Sequence, residues 1–282
     1  MPGQDRVGLA WRPELAAGIL AHLDRIDLVE VIADDYAGAG GRALRALRTL
    51  AAQVPVVLHG VSLGLASSSS VDARRLDAIA RVIGAVEPEA WSEHLAFVRG
   101  GGRELGHLAA PPRRQATLQG LAANVGRARA IVGSAPALEN VATLIEPPGS
   151  DRDEPTWVGD AIAATGAELL LDLHNLYANA LNFGFDAQAA LGWLPLTRVR
   201  FVHLAGGAWT GAAGGERRWL DDHRHDVPPA VFDLLAELAA RTPHTLSVIV
   251  ERDGVYPPME RVLDELDRVR AALAGGRGRL AA

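Results

Sequence analysis

The sequence predicts an α/β chain folded as a single (β/α)8 TIM barrel over residues 1–274, on three observations. Short β-rich runs alternate with longer helical stretches, the runs number eight, and no dinucleotide-type glycine motif follows an early run. The runs fall at 7–11, 28–34, 54–60, 90–98, 135–142, 168–175, 199–206 and 246–253. Those at 7–11 and 135–142 are weak by composition and rest on their place in the alternation. An open doubly wound sheet has the same alternation and stays open on counting alone.

The intervening stretches carry helical spacing. Leu76, Ile79, Ile83 and Val86 follow Asp72 on one helix face, and Leu118, Leu121 and Val125 share another. Pro228 and Pro229 precede Val231, Leu234, Leu235 and Leu238, with proline where a helix starts. Val262, Leu266 and Val269 form a last helix, and 275–282 is expected to be a disordered tail. The connection 207–227 is long for a βα loop, a length that usually marks function or mobility.

Composition narrows the function classes. Of 282 residues, 49% are hydrophobic and 22% charged, enough apolar content for a large core. The net charge of −6 argues against a nucleic-acid partner, because phosphate contacts need a basic face. There is no Cys, which excludes disulfides, thiolate metal sites and a Cys nucleophile. No basic n-region with an apolar run opens the chain, and no stretch approaches the roughly 20 apolar residues of a spanning helix. A cytoplasmic protein with no membrane partner is expected.

Barrel active sites are built at the C-terminal ends of strands, and here those ends are rich in metal-ligand types. They supply His59, His94, Glu139, Asp172, His203 and Glu251, and the long loop adds Asp221 and His223. Period-two alternation puts Val57 with His59, Phe201 with His203, and Ile249 with Glu251. Asp172 and His174 share a face by the same argument. An inward His94 turns Glu93 towards the helices, so Glu93 reads as a hydrogen-bond or ion-pair partner. A lone strand-end Asp is often a helix cap, and a lone His is more often structural than a ligand. The set is another matter: its carboxylates, unpaired in a barrel mouth, would repel one another and bear a large desolvation cost. Cations remove that cost, and eight ligands exceed what one ion needs, so two or three ions are expected. Imidazole and carboxylate without thiolate suit Fe, Mn or Zn.

The motifs VLHGVSLGL, WSEHLAF, LENVATL, LLLDLHNLYANALNFG, FVHLAGG, LDDHRHDVP and IVERDG follow one another in an order that resembles the multinuclear non-haem iron-dependent oxidative enzymes. That family includes enzymes of methanobactin and thia-glutamate biosynthesis, and the resemblance runs from Val7 to Val269. It implies a xylose-isomerase-like barrel holding two or three iron ions (Fe2+/Fe3+), a mixed-valent pair among them, with O2 as co-substrate. It also implies oxidative modification of a ribosomally made precursor peptide, commonly at Cys, often with a small partner protein that presents the leader. The family's ligands fall on His59, His94, Glu139, Asp172, His203, Asp221, His223 and Glu251. His174 departs from the pattern, standing where many members carry Asn, and is read as supporting a ligand or the substrate. Gly64 and the segment after His94 depart as well, the latter in a region expected to touch substrate. Asn140, Asn175, Asn182 and Glu30 are candidates to orient ligands or substrate, since metal-bound groups need outer partners. Arg12 and Glu30 suit pocket-shaping, capping or salt-bridge roles equally. His22, His107, His225 and His244 are read as outside the ligand set. Two other classes stay open: a divalent-metal isomerase, epimerase or phosphodiesterase on the same barrel, and a non-catalytic metal-loaded peptide-binding protein.

Overall fold

The computed structural model describes residues 4–211 and 217–281, with the backbone alone at 281. Residues 1–3, part of the long connection (212–216) and the last residue of the expected tail lie outside the described residues.

The strands are β1 (Arg6–Ala10), β2 (Val29–Ile32), β3 (Val56–Gly60), β4 (Ala90–His94), β5 (Phe97–Gly100), β6 (Arg103–Ala109), β7 (Ala137–Glu139), β8 (Leu169–Asp172), β9 (Val199–Leu204), β10 (Gly207–Thr210), β11 (Arg218–Asp221) and β12 (Ser247–Val250). The helices are α1 (Ala16–Ala21), α2 (Asp34–Ala37), α3 (Gly41–Ala51), α4 (Ala73–Val86), α5 (Gln115–Val132), α6 (Glu154–Thr165), α7 (Leu173–Phe183), α8 (Ala187–Leu191), α9 (Pro229–Arg241) and α10 (Met259–Ala281). Eight strands close into a barrel in the order β1–β2–β3–β4–β7–β8–β9–β12. The alternation of short apolar runs with helices therefore resolves as the closed barrel and not the open sheet. By contacts the chain falls into two compact units: Met1–Leu28 with Ala142–Glu146 and Leu170–Ala282, and Val29–Val141 with Pro147–Leu169.

In the second unit β2, β3, β4 and β7 are parallel neighbours, with His59 opposite Ser92 and His94 opposite Glu139. Buried Leu76, Ile79, Val82 and Val86 are the inner face of α4, whose N-cap Asp72 accepts from the amide of Arg74. Its left-handed C-cap, Glu87, ends the helix. The expected run 90–98 breaks after His94. From Phe97 the chain turns back as an antiparallel hairpin, β5 with β6.

In the first unit β9, β12 and β1 are parallel neighbours. Phe201 and Ile249 are fully buried, and Gly8 lets β1 approach residue 28, since a Cβ there would lie 2.4 Å from the Leu28 carbonyl. The expected run 168–175 is too long. The strand stops at Asp172, whose carboxylate Oδ1 accepts from the amide of Asn175 at 2.7 Å and starts α7. His174 therefore lies on a helix, and the period-two argument that set it beside Asp172 does not hold. The long connection contains a second antiparallel hairpin, β10 with β11. Residues 275–281, expected to be disordered, continue α10 as helix. Arg277 accounts for this: it pairs with Asp5 at 2.6 Å and donates to the carbonyls of Ala239, Thr242 and His244. Among the described residues no helix is long and apolar enough to cross a membrane.

Candidate metal centre

The structure brings His59, His94 and Glu139 together at the ends of β3, β4 and β7. Each offers one ligand atom, and the three atoms lie within 4.8 Å of one another. All three side chains are buried. Glu139 Oε2 sits 3.4 Å from His59 Nε2 and 3.3 Å from His94 Nε2. The other nitrogen of each ring is occupied behind the cluster. His94 Nδ1 faces the Gly60 carbonyl at 3.2 Å, which only accepts, so the ring proton belongs there and Nε2 presents a lone pair. His59 Nδ1 meets Ser92 Oγ at 2.8 Å, and that hydroxyl faces the Leu58 carbonyl at 3.5 Å. A hydroxyl turned to that carbonyl accepts the proton on Nδ1, again freeing Nε2 towards Glu139. Both imidazoles are thus set in the tautomer a metal ligand requires.

Glu93, expected to be a hydrogen-bonding partner, is one. Its carboxylate accepts from the amides of Leu63 at 3.1 Å and His94 at 3.0 Å, tying the turn after β3 to the end of β4. Gly60 leaves room for it, because a Cβ there would lie 2.9 Å from Glu93 Oε2. Ser92 carries no ligand signal in the sequence. A small polar residue inside an apolar strand, in register with His59, was the available clue. Ser92→Ala is expected to weaken metal binding by about 10- to 100-fold with little loss of fold, read by titration against a competing chelator.

The first unit gathers the remaining candidates. Asp172 and His203 offer ligand atoms within 4.8 Å of each other, as do His203 and Glu251. His203 Nδ1 is 3.1 Å from Glu251 Oε2. His223 Nε2 is 2.9 Å from Asp221, and its Nδ1 is 3.3 Å from Asp253 and 3.9 Å from Glu251. His223 adopts φ +55°, a left-handed conformation uncommon outside glycine, though His is among the side chains that tolerate it best. Backbone bonds on both sides hold it there, its N–H to the Gly206 carbonyl and its carbonyl to the Asp253 N–H. Arg12 pairs with Asp253 and lies 3.8 Å from Glu251.

The electrostatics of this group favour a cation. Burial alone would raise the Asp221 carboxyl, but the charge of His223 and hydrogen bonds from His174 and His223 hold it well below the ordinary range. Burial would lower His223, and the charges of Asp221 and Glu251 overcome it and raise the imidazole well above its usual value. Asp253 is likewise lowered against burial, by hydrogen bonds from His223 and Arg12. Three carboxylates around one imidazole call for positive charge, which a bound cation supplies as well as a proton does. The donor sets of both groups, and the ring tautomers of His59 and His94, therefore fit a metal, and imidazole with carboxylate suits Fe, Mn or Zn.

The other candidates separate. His174 is fully buried and joins Asp221 to Trp219. Asn182 bonds the backbone of Trp219 in both directions, at 2.7 and 3.0 Å, and donates to Thr143 at 3.2 Å, so it holds the second hairpin. Asn140 lines a cavity with Leu95, Pro111, Arg113 and Trp157. Glu30 is buried on β2 and Asn175 in the first turn of α7. Four histidines have other company. His22 Nδ1 meets the Gly18 carbonyl, His244 Nε2 the Val199 carbonyl and His225 the Asp222 carboxylate, while His107 lies exposed on β6.

Solved structures share this architecture, the xylose-isomerase-like TIM-barrel fold. A xylose isomerase domain protein from Salmonella typhimurium matches with a TM-score of 0.63 at 12% identity, covering 97% of this chain and 99% of that one. Endonuclease IV from Thermus thermophilus matches with a TM-score of 0.58 at 17% identity, covering 95% and 99%. At such identities the likeness is one of fold. Within that fold, the chain belongs to the RiPP precursor modification enzyme MbnB/TglH/ChrH family, whose model matches residues 6–274. A UPF0276 protein of Bordetella bronchiseptica is 36% identical over 96% of this chain and 93% of its own length. Another, from Streptomyces avermitilis, is 38% identical over 94% of this chain, which spans 54% of that relative's length.

Proposed function

We propose that this chain oxidatively modifies a ribosomally synthesised precursor peptide, at Cys, using two or three iron ions and O2. Family membership supports a precursor peptide as substrate. The observation that carries the iron is the His59–His94–Glu139 group, with both rings locked by Gly60 and Ser92 to present Nε2 to one carboxylate. Asp172, His203, Asp221, His223 and Glu251 complete the proposed ligand set, so that each group holds at least one ion. Bound iron would supply one-electron chemistry towards O2 and a site for the substrate thiolate. The chain's own residues fix geometry: Ser92 and Gly60 orient two rings, Glu93 holds the turn after β3, and Asn182 fixes the second hairpin. The thiol must come from the peptide, because the chain has no Cys. A cytoplasmic site keeps that thiol reduced. A small leader-binding partner and the working of residues 1–274 as one domain belong to the same proposal.

The test is anaerobic reconstitution with ferrous iron, followed by metal counting, Mössbauer spectroscopy and O2 uptake with a Cys-containing candidate peptide. Two or more ions per chain and peptide-dependent O2 uptake are expected. At most one ion, undiminished in Asp172→Ala and His203→Ala, would overturn the reading. The likenesses to the xylose isomerase domain protein and to endonuclease IV add nothing to a rival substrate, since they rest on fold alone.

A further inference from the structure

We propose that His174 is the positioning residue of Asp221, with Trp219 fixing which nitrogen of the ring carries the proton. The argument is one of donors and acceptors. An indole N–H can only donate, so Trp219 Nε1, 3.0 Å from His174 Nε2, makes that nitrogen an acceptor. The ring proton then sits on Nδ1, 2.8 Å from Asp221 Oδ1, and is donated to the carboxylate. His223 Nε2 lies 2.9 Å from Asp221 Oδ1 and 3.1 Å from Oδ2, so it faces both oxygens of the carboxylate. The His174 ring thus holds an oxygen that the candidate ligand His223 also addresses.

Packing keeps the chain of contacts in place. His174 has no exposed surface. Tyr177 and Trp209 stack edge-on against the Trp219 ring, with centroids 5.7 and 5.5 Å away. Gly207 makes the close approach feasible: a Cβ there would lie 2.6 Å from Trp219 Nε1 and 2.9 Å from His174 Cε1. Direct ligation by His174 Nε2 would require the indole, and with it the second hairpin, to move. The inference rests on the proposed ligand role of Asp221 for its effect on metal, but the proton's location stands apart from it.

Two isosteres separate the two halves of the ring. The amide nitrogen of Asn reaches the place of Nδ1 and can still donate to Asp221. The amide oxygen of Gln reaches the place of Nε2 and can still accept from Trp219, leaving Asp221 without its donor. Ferrous iron affinity of the full chain, measured anaerobically by chelator competition, is expected to be unchanged in His174→Asn and weakened about tenfold or more in His174→Gln. Unchanged affinity in His174→Gln, or equal losses in both variants, overturns the proposal. Equal losses are what direct ligation or a purely structural role would give. Nitrogen-15 histidine NMR of the metal-free wild type, with the His174 signal assigned by its absence in His174→Asn, reads the ring directly. A proton on Nδ1 supports the inference even if the chain takes up no iron and the proposed function fails, and a proton on Nε2 overturns it.

Discussion

Glu139→Gln is expected to remove at least one iron per chain and to reduce peptide-dependent O2 uptake by about 100-fold or more, beyond the 10- to 100-fold typical of losing an outer partner. The substitution keeps the shape, removes the charge and replaces one acceptor oxygen with an NH2 donor. Glu139 Oε2 stands between two imidazole nitrogens at 3.4 and 3.3 Å, and the side chain is 2% exposed. Glu93 meets His94 on the other side of the ring, at Nδ1, 3.6 Å away. A neutral amide gives a ferrous ion no charge compensation in a dry setting, where the cost of an unpaired ion is high. Metal counting on the reconstituted variant checks the first part. A chelator checks the second: it should lower the melting temperature of the wild type by more than that of the variant, since bound metal stabilises the folded state. Equal iron content in both proteins would show that Glu139 is not a ligand.

Arg252→Met is expected to be the most destabilising of the substitutions considered, at about 3 kcal/mol, or roughly 6–10 °C in melting temperature. Arg252 is 4% exposed and follows Glu251, so it leaves the strand end on the opposite side. It donates to the Arg224 carbonyl at 3.0 Å and to Asp226 at 2.6 Å, and lies 3.6 Å from Glu265. Glu265 in turn accepts from the amide of Val227 at 2.8 Å. These contacts pin residues 224–227, just beyond His223. Burial raises the Glu265 carboxyl even with Arg252 present, so the variant leaves a buried acid that takes up a proton more readily still. A raised folded-state value stabilises at low pH and costs stability as pH rises through it. The deficit of the variant should therefore be largest near about pH 8 and shrink towards about pH 5. Denaturant titrations at the two ends of that range measure it, and a deficit independent of pH would show that Glu265 is not the group left exposed to the loss.

Much of this was legible in the sequence because barrel strands are short apolar runs whose polar residues cluster at one end. His59, His94, Glu139 and His203 stand out for that reason, and each lies on the final or penultimate residue of its strand. Parity served β3 and β9, where the strand is regular through the histidine. It failed at Asp172, because the same Asp that closes β8 opens α7. Residues 171–174 alternate apolar and polar as a strand would, so the buried start of α7 carried no signal against strand. The two hairpins were missed for a different reason. β6 is exposed along most of its length and β11 follows a glycine-rich stretch, so neither has a hydrophobic period. The role of His174 depended on Trp219, 45 positions away, and on the space at Gly207. Tertiary proximity of that kind leaves no mark on spacing. The helical end of α10 was hidden similarly, since its anchor is Asp5 at the other end of the chain.

Asp172 sits at the meeting of a strand and a helix, with one carboxylate oxygen already given to the amide of Asn175. That shared use has a thermodynamic corollary. Any cation that draws on the carboxylate competes with, or is reinforced by, the first turn of α7, and the coupling runs equally in both directions. The same helix carries His174 and Asn182, which reach Asp221 and the second hairpin. With Asp172 as a ligand, as proposed, opening of α7 and occupancy of the centre are linked equilibria, with the local unfolding of one helix written into the affinity of the site.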